Sequence, residues 1–495
     1  RSRYTAAGLV TLAAIAAMAV SLTKGDKDIY ASGITSFGPE DGPNQPFGVA
    51  RGVNPGRVVW VWNPEATNEN CISCFDTQDW FFKPENTNPS ITGKMVRDAI
   101  TSLTGKKTIP DAWDVLFRYH NLNKYNKKRG YKKGEKILIK INQGTSRLGL
   151  SKEEKEKGFY YPTTLKPGEE RRRTVFGATE AGPYIVLELL RELVNEKNID
   201  QADIIVGDPM TDICGHNYEV WHGEFPNVIY TGKFSSNHGR TLIYPTKEDL
   251  LFYSDKKQTD KLYDVVENAD YLINVAHLKP HMSAGISLTA KNHFGSQARE
   301  NASHLHNSLV VPIGGKPTNT GYHKYRNLVD LMGSKYLGRN TVLYLVDGLF
   351  AGGASETRVP VKYFMAPFNN DYCNSLFVSQ DQVALESVCF DFLRTEWNGI
   401  NSHDPANNAS EDRPNLPGVD DYLHQAADSS NWPEGIVYDP DNSGKPLPSL
   451  GVHEHWNNPE SKQYSRNLGY NMGIELVSIP DTLVRTKKTA LKTTL

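Results

Sequence analysis

The chain has 495 residues, 38% hydrophobic and 23% charged, with a formal net charge of −2. That is a globular composition, too long for one simple core and expected as one large domain or two smaller ones with appendages. The balanced charge excludes a global field for steering nucleic acid, so no nucleic-acid partner is expected, and the basic run Arg171 to Arg173 reads as a solvated loop.

Arg1 and Arg3 precede an apolar stretch from Ala6 to Leu22. It has the low-end length of a bilayer span and also the layout of a secretory signal, with Ala17-Met18-Ala19 as an A-x-A cleavage site. Residues 1–23 are therefore read as a signal sequence or a membrane anchor, the two readings standing level. The arginine flank keeps this end cytoplasmic and sends the body out, to the periplasm or cell envelope. If residues 6–22 are retained, the inner membrane is a partner. Residues 24–56 are rich in Gly, Pro, Asn and Ser and read as an extended arm. Such arms suit the wrapping of a protein partner.

From there the pattern alternates. "RVVWVW" (Arg57 to Trp62) is a strand, and "SITGKMVRDAITSLTG" and "DAWDVLFRYHNLNKY" are helices, the second opened by Pro110 and Asp111. "KILIKIN" (Lys136 to Asn142) is a buried-type strand, and residues 144–176 are a long polar insertion. "AGPYIVLELLRELVNEKN" places Ile185, Val186, Leu189, Leu190, Leu193 and Val194 on one helical face. "ADIIVGDP", "NVIYTG", "ADYLINVAHLKP" and "NTVLYLVDGLFAGG" are strands, and "SLFVSQDQVALESVCFDFLRTEW" is a strand followed by a helix. Continuously apolar strands separated by helices predict an α/β fold: a mostly parallel sheet with helices on both faces, long irregular arms and an apolar N-terminal helix. The α/β domain is expected over 57–397, with two lobes split near 300 as an open alternative. Residues 398–495 read as an irregular segment with a late strand, "GIELVSI".

Five cysteines are present. Cys71 and Cys74 form "CISC" without zinc-finger spacing, and a local disulfide or two free thiols both fit. Cys214, Cys373 and Cys389 look unpaired.

Several strands end on polar residues: Asn142, Asp208, His277 with Lys279, Asp347 and Asp381. In open α/β sheets ligands sit outside the carboxyl ends of the strands, so these ends are expected to converge on one rim. Asp381, just before "QVALES", reads best as a helix N-cap. The densest stretch is "NVAHLKPHMSAGISLTAKNHFGS", Asn274 to Ser296. Here a strand is followed by a turn blocked by Pro280, then by a helix-compatible run that Ser283 could cap. A helix N-terminus beside two lysines and three histidines suits a small anion. Lys279 and Lys291 are the candidate electrophilic or anion-binding groups, and His281 and His293 the candidate acid/base groups. Asn142, Asp208, His277, Asn292 and Asp347 are the candidate substrate-binding residues. A metal is the other use of such side chains, with His277, His281, His293, Cys214 and His216 as candidate ligands, although Pro280 keeps His277 and His281 off a common helical face. "GVHEHW" does not match a metalloprotease helix, since its histidines lack the i, i+4 spacing. No Walker A, G-x-S-x-G or G-x-G-x-x-G register occurs.

"HLKPHMSAGISLTAKNHFGS" also resembles the core motif of domain-of-unknown-function family 362, a lysine turn followed by K-N-x-F/L-G, at Lys279, Lys291, Asn292, Phe294 and Gly295. "ILIKIN", "IIVGDP", "YLVDGLFAGG" and "LFVSQDQVALESV" are similar to further motifs of that family in the same order, with Glu386 standing where an Asp is usual. The arm "QPFGVARGVNPGRVVWVWNPEAT" looks like the exported, long form of Bacteroidetes-type bacteria. Some members carry ferredoxin-like cysteine clusters. This chain lacks a C-x-x-C-x-x-C run, so no iron–sulfur cluster is carried over and the cofactor is left unassigned. The resemblance implies a fold and a polar rim, not a reaction. Three readings follow: an exported or anchored protein whose rim binds a small anion, with catalysis left open; an accessory or structural subunit of a membrane-associated or cell-surface complex; and a metal-binding redox accessory protein.

Overall fold

The structure is a computed structural model, and it describes residues 42–73, 79–144, 179–234, 239–281, 283–310, 319, 321–353, 359–397 and 419–484. The apolar segment 6–22, Cys74 and nearly all of the polar insertion lie outside the described residues. Among the described residues, no helix is long and apolar enough to cross a membrane.

Nine strands form one sheet. In chain order they are β1 (Arg57–Trp62), β2 (Ile137–Lys140), β3 (Ile204–Gly207), β4 (Ile229–Gly232), β5 (Thr241–Leu242), β6 (Tyr271–His277), β7 (Thr341–Gly348), β8 (Ser375–Ser379) and β9 (Glu475–Ile479). Their spatial order is β9-β1-β8-β7-β6-β2-β3-β4-β5. Only β8 runs against its neighbours; the other pairs are parallel. The late strand β9 therefore extends the sheet beside β1, and the arm joins the body through Phe47–Gly48, which pairs with Val452–His453.

Helices cover both faces, which is why β6 and β7 are buried along their whole length. On one face lie α1 (Pro89–Thr104), α2 (Ile109–Tyr125), α3 (Pro183–Arg191) and α4 (Gly215–Glu224); α3 runs on as a π turn over Glu192–Glu196. On the other lie α5 (Thr289–Asn292), α6 (Asn327–Gly333), α7 (Gln382–Glu396) and α8 (Val419–Ala427). Strand alternation sorts the core accordingly. In β6, Tyr271, Ile273 and Val275 pack with α1–α4, while Leu272 and Ala276 pack with α5–α8.

Two expectations need correction. The reversal of β8 puts Asp381 at the opposite rim from Asn142, Asp208, His277 and Asp347. A run buried on both faces is apolar whichever way it points, so periodicity could not reveal the direction. Asp381 is the N-cap of α7, accepting from Ala384 N at 3.0 Å. The stretch from Ser283 is not one helix either. Pro280–His281 pairs with Gly285–Ile286 in a tight ladder, and α5 begins only at Thr289, with Leu288 at its N-cap. Gly285 sits at φ +79, outside the helical region, and prevents an earlier start.

Candidate functional site

The parallel strands β2, β3, β6 and β7 end at one rim, and the alternation of their side chains divides it into two clusters, one on each face of the sheet. Lys140 in β2 is in register with Gly207 of β3 and Asn274 of β6. Lys140 and Asn274 turn toward α5. The Lys140 ammonium is fully buried, 3.2 Å from Asp208 Oδ1, and donates to Asn292 Oδ1 at 2.9 Å and Ile141 O at 2.7 Å. Burial pushes its pKa down, and Asp208 opposes that shift. Asn292 Nδ2 donates to Asn274 Oδ1 at 2.8 Å and to Val275 O at 3.2 Å. Asn142 donates to Asn292 Oδ1 at 3.4 Å. Asn274 donates to Thr289 O at 2.9 Å and lies 3.1 Å from His293 Nε2. Burial, with help from Lys140, lowers His293 to about 3, so its ring is neutral. Asp208 also accepts from Gln143 N and Met210 N at 2.9 and 3.2 Å. Gly295 lies hard against this pair: a Cβ there would meet Asp208 Oδ1 and come within 3.0 Å of Lys140 Nζ.

On the other face, β6 and β7 pair His277 with Asp347, their side chains pointing toward α3. His277 Nε2 lies 3.7 Å from Asp347 Oδ2, beyond hydrogen-bond reach, and neither ring nitrogen of His277 has a hydrogen-bond partner among the described residues. The ring is 2% exposed. Burial, then the Lys279 charge, drives the His277 pKa well down, while burial lifts the Asp347 carboxyl to about 7. The pair lines a narrow cleft with Gly182, Pro183, Tyr184 and Ile185, walled by Phe81, Leu349 and Phe350. Gly182 is the N-cap of α3 and supplies no side-chain cap; Pro183, at the first helical position, has no N–H, so the first-turn N–H groups beside the cleft are those of Tyr184 and Ile185.

The remaining candidates flank these clusters. Lys279 is buried and donates to Thr179 O at 2.8 Å. His281 Nδ1 accepts from Ser283 N and Ala284 N at 3.0 and 3.1 Å, which leaves its proton on Nε2. Lys291 is half-buried with Nζ 3.8 Å above the Phe294 ring. Cys214 is buried and its thiol pKa is raised well above the usual value, first by burial. His216 stacks on Phe82 at 3.7 Å and is lowered by burial to about 3. Among the described residues, no three of His277, His281, His293, Cys214 and His216 offer ligand atoms close enough to share one ion.

Lys140 is not among the strand-end candidates of the sequence. Its signal was a charged side chain inside the apolar run "ILIKIN", which demands a buried partner. A roomier cleft opens at the amino-end rim, lined by Arg51, Tyr119, Lys124, Lys335 and Arg339. It lies away from the carboxyl ends, where sheets of this kind hold ligands.

Residues 183–391, from the start of α3 into α7, match the family described as Domain of unknown function (DUF362). The chain carries a DUF362 domain. No curated protein and no solved structure gave a significant match. The match covers less than half the chain, and the sheet it enters is completed by β1, β2 and β9 from outside the matched segment.

Proposed function

We propose that the rim of the DUF362 domain binds a small anion, a carboxylate or inorganic oxyanion, in the cleft between His277, Asp347 and the first turn of α3. The observation that carries this reading is the buried His277 ring with neither nitrogen paired. An unsatisfied buried polar group costs about 1–3 kcal/mol and calls for a partner. The donors around it suit an anion: the Tyr184 and Ile185 N–H groups in the first turn of α3, the imidazole, and an Asp347 carboxyl near 7 that can take a proton and donate. Lys279 adds positive potential at His277. The body is proposed to act outside the cytoplasm, carried there by residues 1–23.

The test is thermal unfolding of the purified chain with acetate, short-chain carboxylates, phosphate and sulfate. A ligand at a hundred times its Kd raises stability by about 2.7 kcal/mol. Absence of a concentration-dependent rise with every anion removes the proposal.

A further inference from the structure

Far from the rim, on the outer side of α7, a second group of side chains has no part in the anion cleft. Asp420 on α8 and His453 and His455 beside the arm each offer one ligand atom, and these atoms lie within 4.8 Å of one another. Three protein ligands around a shared cation at about 2.1 Å would stand about 3.4 Å apart in a tetrahedral arrangement, so a small inward adjustment of the rings suffices.

The hydrogen bonds behind the histidines fix which nitrogen each presents. His455 Nδ1 lies 2.7 Å from Asp391 Oδ1. Asp391 is itself held by Arg394, by Trp456 N at 2.9 Å and by the Tyr464 hydroxyl at 2.7 Å. His455 Nε2 is thereby directed at Asp420, 3.5 Å from Oδ1. His453 Nδ1 lies 2.8 Å from Ser387 Oγ, and that hydroxyl donates its one proton to Val383 O at 2.7 Å. Ser387 must therefore accept, the proton of His453 sits on Nδ1, and Nε2 is the nitrogen assigned to the cluster. Each imidazole is thus anchored through Nδ1 by an oxygen acceptor, as metal-ligating histidines are. His453 and His455 are 0% and 1% exposed. The Asp420 side chain, 18% exposed, is the ligand that reaches the surface. The sequence spacing agrees. H-x-H in extended chain puts both rings on one side, and Asp420 projects from the first turn of a facing helix.

We propose that Asp420, His453 and His455 form a three-ligand site for a divalent transition-metal ion, with zinc as the occupant. Two imidazoles and one carboxylate without thiolate match zinc and its first-row neighbours rather than calcium or magnesium. The ion would clamp α8 and the 452–456 segment to α7 and so hold the C-terminal wrap on the sheet. The competing arrangement is a salt-bridged imidazolium, with His455 between Asp391 and Asp420 and no ion at all.

The test uses the full chain, stripped with a chelator and titrated with zinc. The expected result is one zinc per chain, tighter than about micromolar, with Asp420→Asn and His453→Gln each weakening it at least tenfold. Ser387→Ala, which removes only the hydroxyl orienting His453, should weaken it about tenfold. Cobalt substitution should give visible d–d bands without a thiolate charge-transfer band. Circular dichroism of each variant shows whether it folds, and if Asp420→Asn does not, Ser387→Ala carries the comparison. The proposal is overturned if no zinc, cobalt or manganese binds at one per chain. It is equally overturned if folded variants bind zinc as the parent does, or if cobalt shows thiolate ligation. Unchanged melting after chelation of zinc-loaded protein would also refute the clamp.

Discussion

The two clusters of the carboxyl rim sit on neighbouring strands of one sheet, yet they are built in opposite ways. On the α5 face, Lys140, Asp208, Asn274 and Asn292 use one another: the ammonium, the Asn292 amide and the Asn274 amide all have protein partners, and only His293 Nδ1 and Asn142 Oδ1 of that cluster lack one among the described residues. On the α3 face, the His277 ring nitrogens have none among the described residues, and Asp347 is held through Leu349 N at 2.9 Å. Burial is the same on both sides, with Lys140 at 0% and His277 at 2% exposure. Buried polarity alone therefore does not mark a ligand site. A network whose ammonium and amides are paired locks loops together, whereas a buried ring with both nitrogens unpaired at a cleft is poised for a partner from outside.

The largest effect should come from the satisfied side. Lys140→Met leaves Asp208 buried without its ion partner and should cost about 3–5 kcal/mol of unfolding free energy, read by chemical denaturation. The double variant with Asp208→Asn should recover part of that loss. If Lys140→Met is neutral, the network does not hold the rim.

Asp347 gives the pH-dependent contrast. Burial raises its carboxyl from 3.8 to about 7. The folded chain therefore holds this proton more tightly than the unfolded chain. The group's contribution to stability is complete below about pH 4 and is lost as the pH climbs through 7. Stability of the parent minus that of Asp347→Asn should fall across that window, by at most about 1.4 kcal/mol per pH unit. A flat difference would show that Asp347 is not held in its neutral form.

His277→Leu should leave stability unchanged or raise it by about 1 kcal/mol, since it removes an unpaired buried polar group. A loss of several kcal/mol would place His277 with the structural set. Lys291→Met is the mildest. Its ammonium lies over the Phe294 ring at the half-exposed edge, and its loss should cost at most about 1 kcal/mol in a melting curve. A drop comparable to that of Lys140→Met would move Lys291 into the locked network.

Much of the fold was legible because its strands are continuous apolar runs bounded by turn residues, which only a sheet covered on both faces requires. The direction of β8 was not, since that pattern carries no direction. The rim residues were legible as strand ends, but their division into two clusters depends on which face each side chain takes, and that needs register. The K-N-x-F-G stretch now has a physical reading. Asn292 is the hub of the network, Phe294 carries Lys291, and Gly295 admits the Lys140–Asp208 pair. H-E-H at His453 and His455 fails the spacing of a helical metal site, whereas in extended chain a spacing of two already shares a side, and only the backbone shows which applies.

Whether His277 and Asp347 receive an anion is read by calorimetric titration. The chain is titrated at pH 7 with the anion that most raises its melting temperature, in two buffers of different ionisation enthalpy. An anion beside these groups favours their protonated forms, so binding should take up protons, weaken as pH rises, and fall at least tenfold in a folded His277→Leu variant. Binding without proton uptake, or binding unchanged in that variant, would show that the anion does not sit at His277 and Asp347.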